Sequence, residues 1–366
     1  MASTSNLFKP IKVGRHMLEH RLAMAPLTRF RADASHVHHD VAATYYEQRG
    51  SAPGTLLITE ATIIDAKAGI YRYAPGIYTP EQVAGWKKVV EAVHAKGSHI
   101  YLQLWALGRA ADPEALKEET GEEVQSASDV AFEGGAKPRP LTKEEIKDYV
   151  SYYARAAKLF VEEAGGDGVE IHNANGYLLD QFLQTNSNAR TDEYGGSVEN
   201  RARFPLEVAA AVTGAVGADR VGIRLSPWST FQGMKMPTDD VKETFSYFVR
   251  QLVERHPDLA YIHAVESRIA GNATIDASEQ ETLDFLHEIW APRPFIIAGG
   301  FDAESAPVAA DRYENTLVAL GRYAISNPDF VRRIRDGIPL APYNRDTFYL
   351  QGPEKTEGYT DYPFAA

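Results

Sequence analysis

The chain has 366 residues, 44% of them hydrophobic and 24% charged, the balance of a globular protein. Its 38 basic and 50 acidic side chains leave a formal charge of −12. That charge excludes a general nucleic-acid surface and a polybasic membrane patch, though not one local phosphate pocket. Cysteine is absent, which excludes disulfides, thiolate nucleophiles, iron–sulfur clusters and thiolate zinc sites. No window approaches 18 consecutive apolar residues, and the opening MASTSNLFKP has no apolar signal core. A cytoplasmic protein is the expectation. The sequon Asn272-Ala273-Thr274 carries no meaning without export.

Along the chain, LFKPIKVGRHMLEHRL reads as a hairpin. Eight short apolar runs then follow: LAMAP from Leu22, TLLITEATII from Thr55, HIYLQLW from His99 and GVEIHN from Gly168. The later four are VGIRLSP from Val221, YIHAVES from Tyr261, PFIIAGG from Pro294 and TLVALGR from Thr316. Near-continuous apolar runs are what strands covered on both faces look like. Amphipathic stretches separate them, among them PEQVAGWKKVVEAVHAKG, KEEIKDYVSYYARAAKLFVEEAGG and DDVKETFSYFVRQLVERH. Thr79-Pro80 opens the first of these and Gly97 closes it.

Eight strand–helix units predict an α/β fold, a single (β/α)8 TIM barrel spanning 1–366. An open doubly wound sheet is the competing fold. No strand is followed by G-x-G-x-x-G, and eight is the closing number. Residues 106–140, after the third strand, are too long for an ordinary connection and read as a capping insertion.

In such a barrel the reactive groups stand at the C-terminal ends of the strands. Those ends carry Pro26 and Thr28, Glu60 and Thr62, Gln103, His172 with Asn175 and Tyr177, Arg224, Glu266, Gly299 with Gly300, and Gly321 with Arg322. Loops are polar in any case, so each residue alone is also compatible with no role. The last two glycine-bearing ends suit a phosphate: glycine lets backbone N–H groups approach an anion, and arginine grips it with two bonds. Tight turns and a carboxylate partner for Arg322 are the plain alternative. His172 and Asn175 can both donate to one carbonyl oxygen, polarising it. Tyr177, two residues on, can supply a proton to a basic carbanion. A packed histidine, a turn asparagine and a core tyrosine would look the same. His36, His38 and His39 in SHVHHD read as loop rather than metal ligands. No strand end carries lysine, which disfavours a Schiff-base aldolase.

At these positions the chain resembles the Old Yellow Enzyme family of FMN-dependent ene-reductases over nearly its whole length. The motifs are LAMAPLTRFR, YYEQRGS, LLITEAT, QLWALGR, VEIHNANGYLLDQFLQTNSNARTDEYGGSVENRARF, RLSP, GRYAISNPD and EGYTDYP. The resemblance implies that Pro26, Thr28, Ala61, Gln103 and Arg224 hold the FMN ring, and that Gly300, Gly321 and Arg322 hold its phosphate. It implies that His172 and Asn175 bind the substrate carbonyl and that Tyr177 is the proton donor. Trp105, Phe231 and Tyr349 would line the substrate side. Two departures stand out. Ala61 replaces a glycine found in some members, and Gly300 replaces an asparagine found in many. The implied activity is NADPH-driven reduction of the activated C=C bond of enones by a ping-pong scheme, in a monomer or homodimer. Isomerisation, oxidation or cyclisation of one specialised metabolite at the same site is the alternative. A flavin-free phosphate-binding barrel and a non-catalytic flavin module also remain open.

Overall fold

The computed structural model describes residues 5–271, 273–276, 278 and 280–366. Asn272 of the sequon lies outside the described residues. Eight parallel strands form the centre: β1 Leu22–Met24, β2 Leu56–Ile58, β3 His99–Trp105, β4 Gly168–Asn173, β5 Val221–Leu225, β6 Tyr261–Val265, β7 Phe295–Ala298 and β8 Thr316–Leu320. Each pairs with the next, and β8 pairs with β1, so the sheet closes. Eight main helices follow the strands in turn: α1 Asp40–Arg49, α2 Pro80–His94, α3 Lys143–Lys158, α4 Val198–Val216, α5 Thr238–Arg255, α6 Asp284–Trp290, α7 Ser305–Arg312 and α8 Phe330–Asp336. The fold is the (β/α)8 barrel that the eight apolar runs predict.

Local chemistry sets the element ends. Thr79 and Gln82 form a reciprocal capping box at the start of α2, and Thr142 and Glu145 do so for α3. Two runs are shorter than their patterns. TLLITEATII breaks after Ile58 and resumes only at Thr62–Ile63. The Thr59 and Thr62 hydroxyls both donate to the Glu60 carbonyl across that break. The α3 pattern passes at Leu159–Glu163 into a π-helical turn.

Strand residues alternate between two cores. One face packs against the helices. The other fills the barrel, with Ala23, Ile58, Tyr101, Tyr261, Ile296 and Leu317. Gly168 and Gly222 leave room for the Tyr101 and Tyr261 rings; a Cβ at either would lie within 2.5 Å of a ring atom. The N-terminal hairpin, Ile11–Val13 paired with His16–Leu18, closes the bottom. Its Val13 and Leu18 belong to the interior core, each contributing roughly 1.5–3 kcal/mol on full burial. The top of the barrel therefore remains the open end.

Residues 106–140 hold a helix, Pro113–Thr120, and a short parallel pair, Gln125–Ser126 with Arg139–Pro140. Arg109 ties this segment to the loop after β5 by donating to the Gln232 carbonyl at 3.0 Å. Among the described residues, none from 106–140 lines the cavity at the barrel mouth.

Candidate active site

That cavity has a volume of about 520 Å³, well within the range of cofactor and ligand sites. The structure brings to its wall all of Pro26, Thr28, Ala61, Gln103, Trp105, His172, Asn175, Tyr177, Arg224, Phe231, Gly300, Gly321, Arg322 and Tyr349. They come from seven of the eight strand ends and from the C-terminal tail.

A polar belt runs across the floor. Period-two alternation turns Glu170 and His172 of β4 to the same side. Arg224 on β5 is in register with His172 on one neighbour and with His263 of β6 on the other. Gln103 is in register with Glu170. The Gln103 side chain donates to Glu170 Oε1 at 2.7 Å, and His263 Nδ1 lies 2.9 Å from Glu170 Oε2. Burial raises the Glu170 pKa, but His263, Arg224 and Gln103 together hold it below the usual carboxylate range. Burial lowers the Arg224 pKa, opposed by Glu170. The pair is thus a buried arginine with its counter-charge one strand away. Arg224 Nε is buried and has no hydrogen-bond partner among the described residues.

Above the belt stands the His172–Tyr177 segment. Burial, then the charges of Arg224 and His263, hold the His172 pKa well below its ordinary value. The imidazole is neutral at physiological pH, and its Nδ1 is buried without a hydrogen-bond partner among the described residues. Asn175 adopts φ 57° and Gly176 φ 74°, both left-handed. The Asn175 N–H donates to Ser226 Oγ at 2.6 Å, and the Gly176 N–H to Asp180 Oδ2 at 2.9 Å. This pinned turn leaves the Asn175 side chain on the cavity wall. The Tyr177 ring packs edge-on against His172 at 4.9 Å and Trp105 at 5.0 Å. Burial, with Tyr71 and Tyr349 nearby, raises the Tyr177 pKa. Its phenol stays protonated and can act only as a proton donor or a hydrogen-bonding group.

At the other end, Gly300 adopts φ 70°, and a Cβ there would sit 3.0 Å from Arg322 Nη2. Arg322 donates to Thr274 Oγ1 at 3.1 Å and lies over the Tyr343 ring. Glycine here leaves backbone and guanidinium facing one small space, a cradle for an anion.

Some strand-end residues point elsewhere. Glu60 is absent from the cavity wall; its Oε2 accepts from the Arg29 N–H at 3.0 Å and so pins the loop that carries Thr28. Thr62 and Glu266 also lie outside the wall. His36 sits between the Ala74 carbonyl and Glu119, His38 faces Glu60, and His39 pairs with Asp33, so these three imidazoles do not converge. Sequence reasoning missed Tyr71 and Phe30, whose rings meet at 6.2 Å beside Trp105 and Tyr349. It also missed Glu170 and His263. The signal was present: each is an ionisable residue inside an apolar strand, and Glu170 precedes His172 by one strand period.

The residues present fit FMN. An arginine with an orphaned buried Nε suits the electron-rich ring, and the glycine–arginine cradle suits the phosphate. The comparisons agree. Residues 6–341 match the NADH:flavin oxidoreductase / NADH oxidase family. The chain belongs to this family, within the FMN-dependent Old Yellow Enzyme group of oxidoreductases. It is 54% identical to a chanoclavine-I aldehyde reductase of Penicillium roqueforti, covering 99% of this chain and 97% of the relative. It is 48% identical to a probable inactive dehydrogenase of Claviceps fusiformis, covering 99% and 95%. Among solved structures it is similar to Old Yellow Enzyme from Pichia sp. AKU4542, with TM-score 0.90, 41% identity and coverage of 99% and 94%. Morphinone reductase in complex with tetrahydroNAD follows, with TM-score 0.89, 39% identity and coverage of 99% and 98%.

Proposed function

We propose that this chain uses NADPH to reduce the activated C=C bond of α,β-unsaturated carbonyl compounds. The observation that carries the reading is the Tyr177 phenol packed beside a neutral His172, with the Asn175 side chain on the same cavity wall. FMN, when bound, would supply the hydride-transfer chemistry these side chains lack. Pro26, Thr28, Ala61, Gln103 and Arg224 hold its ring, and Gly300, Gly321 and Arg322 its phosphate. His172 and Asn175 donate to the substrate carbonyl oxygen and stabilise charge as it develops there. Tyr177 gives its proton to the α-carbon. Trp105, Phe231 and Tyr349 line the substrate side, and residues 106–140 cap the single barrel domain beside the mouth.

The substrate class we favour is a bulky apolar enal. Phe30, Tyr71, Trp105, Phe231 and Tyr349 make one side of the cavity aromatic, and the 54% identical relative is named for an aldehyde. The test is NADPH consumption with cinnamaldehyde and 2-cyclohexenone, followed by product analysis. Saturated aldehyde or ketone is expected. An allylic alcohol, or no turnover with any enal or enone, overturns the reading.

A further inference from the structure

The opposite end of the barrel carries a second cluster of ligating side chains. His16 comes from the closing hairpin, His99 from the first residue of β3, and Asp167 from the turn before β4. His16 Nε2, His99 Nδ1 and an Asp167 oxygen all lie within 4.8 Å of one another. Both nitrogens stand 3.7 Å from the same atom, Asp167 Oδ1. That is beyond hydrogen-bond reach. It is near the separation of about 3.4 Å between neighbouring ligands around a tetrahedral zinc ion. His16 Nε2 is buried and has no hydrogen-bond partner among the described residues. The two imidazoles lie side by side, with ring centroids 4.3 Å apart.

The carboxylate is already oriented for such a role. Its other oxygen, Oδ2, lies 2.9 Å from His94 Nε2 and accepts from the Ile100 N–H at 2.8 Å. One oxygen is fully engaged, and the other is left facing two imidazoles. This is how outer-shell partners set up a metal ligand. The three side chains keep 12–23% exposure, so solvent can complete the coordination.

We propose that His16, His99 and Asp167 form a binding site for one divalent transition-metal ion of the zinc type, with His94 as a positioning residue. Two imidazoles and one carboxylate suit such ions and not magnesium or calcium. The site lies at the closed end of the barrel, away from the FMN cavity. Its role is structural: the metal staples the hairpin to β3 and to the turn before β4. On another side of the hairpin, Arg15 makes a comparable clip to Asp219 at 2.6 Å.

The experiment titrates Zn2+ into FMN-loaded enzyme, dialysed first against a chelator, by calorimetry. One ion per chain is expected, together with a zinc-dependent rise in melting temperature. His16→Ala and His99→Gln should each weaken binding tenfold or more and abolish the rise. His94→Ala should weaken it about 10–100-fold. His39→Ala, at a surface pair with Asp33, should change nothing. An unchanged flavin spectrum shows that a variant is folded, and either of the two ligand variants suffices. Absence of stoichiometric zinc binding by the unaltered enzyme overturns the proposal. So does binding that survives both His16→Ala and His99→Gln undiminished.

Discussion

Arg224 stands in register with His172 on the adjoining strand, so a buried cation sits beside an imidazole that has no carboxylate of its own. The compensating negative charge is that of Glu170, one strand period below His172, which itself pairs directly with His263 at 2.9 Å. This arrangement keeps the imidazole neutral and the guanidinium charged in the same belt. Replacing Glu170 with Gln leaves Arg224 buried without its compensating charge. Leaving a buried charge with less compensation is destabilising. The expected result is a lower melting temperature and reduced FMN content in the purified protein. Both are read in one thermal scan and one absorbance spectrum.

Tyr177→Phe keeps the ring edges that meet Trp105 and His172 and removes only the hydroxyl. Flavin reduction by NADPH should proceed at its normal rate. Oxidation of the reduced enzyme by an enone should slow about 10²–10⁴-fold, the usual worth of a general acid. Stopped-flow measurement of the two half-reactions separates these effects. Equal rates in both would remove Tyr177 from the chemistry.

Arg322→Ala should weaken FMN retention by about tenfold to a hundredfold, because a charge-assisted hydrogen bond is worth about 1.5–3 kcal/mol. Gly300→Ala should do the same for a different reason. The residue would be forced to a left-handed φ, with its Cβ 3.0 Å from the guanidinium. Equilibrium dialysis followed by fluorescence of released flavin measures both. Unchanged affinity in both variants would move the phosphate elsewhere.

Burial, with help from Arg335, lowers the His20 pKa to about 4. Unfolded, this imidazole takes up a proton near pH 6.5. Between about pH 6.5 and 4 the unfolded chain therefore binds more protons than the folded one. The stability from His20 is fully present above that range and is lost as pH falls through it. The loss from pH 7.5 to 5 is roughly 2 kcal/mol. His20→Gln should shrink the shift in urea midpoint between these two pH values. An equal shift in the variant would assign it to other groups.

Much of this molecule is legible in its sequence, for a physical reason. Strands buried on both faces must be apolar along their whole length, so β1 to β8 stand out. Reactive groups in such a barrel stand at or just beyond the strand ends, so His172 near the end of β4 and Asn175 and Tyr177 after it stand out as well. What escaped depends on orientation and on distance along the chain. Glu60 ends a strand yet turns behind the cavity to hold Arg29. Tyr71 and Phe30 reach the cavity from loops whose paths no periodicity sets. His16, His99 and Asp167 lie in three separate elements, so no spacing motif links them. The break in TLLITEATII is likewise invisible, because its β-branched residues suit a strand whether or not the ladder continues through them.

The most direct test of the central claim is a spectrum of the purified protein taken without air. NADPH is added first, and then cinnamaldehyde or 2-cyclohexenone. The account predicts a flavin band that bleaches with NADPH and returns in full with one of these acceptors, yielding one saturated carbonyl per flavin. A band that never bleaches, or one that bleaches and stays bleached with every unsaturated carbonyl, would contradict it.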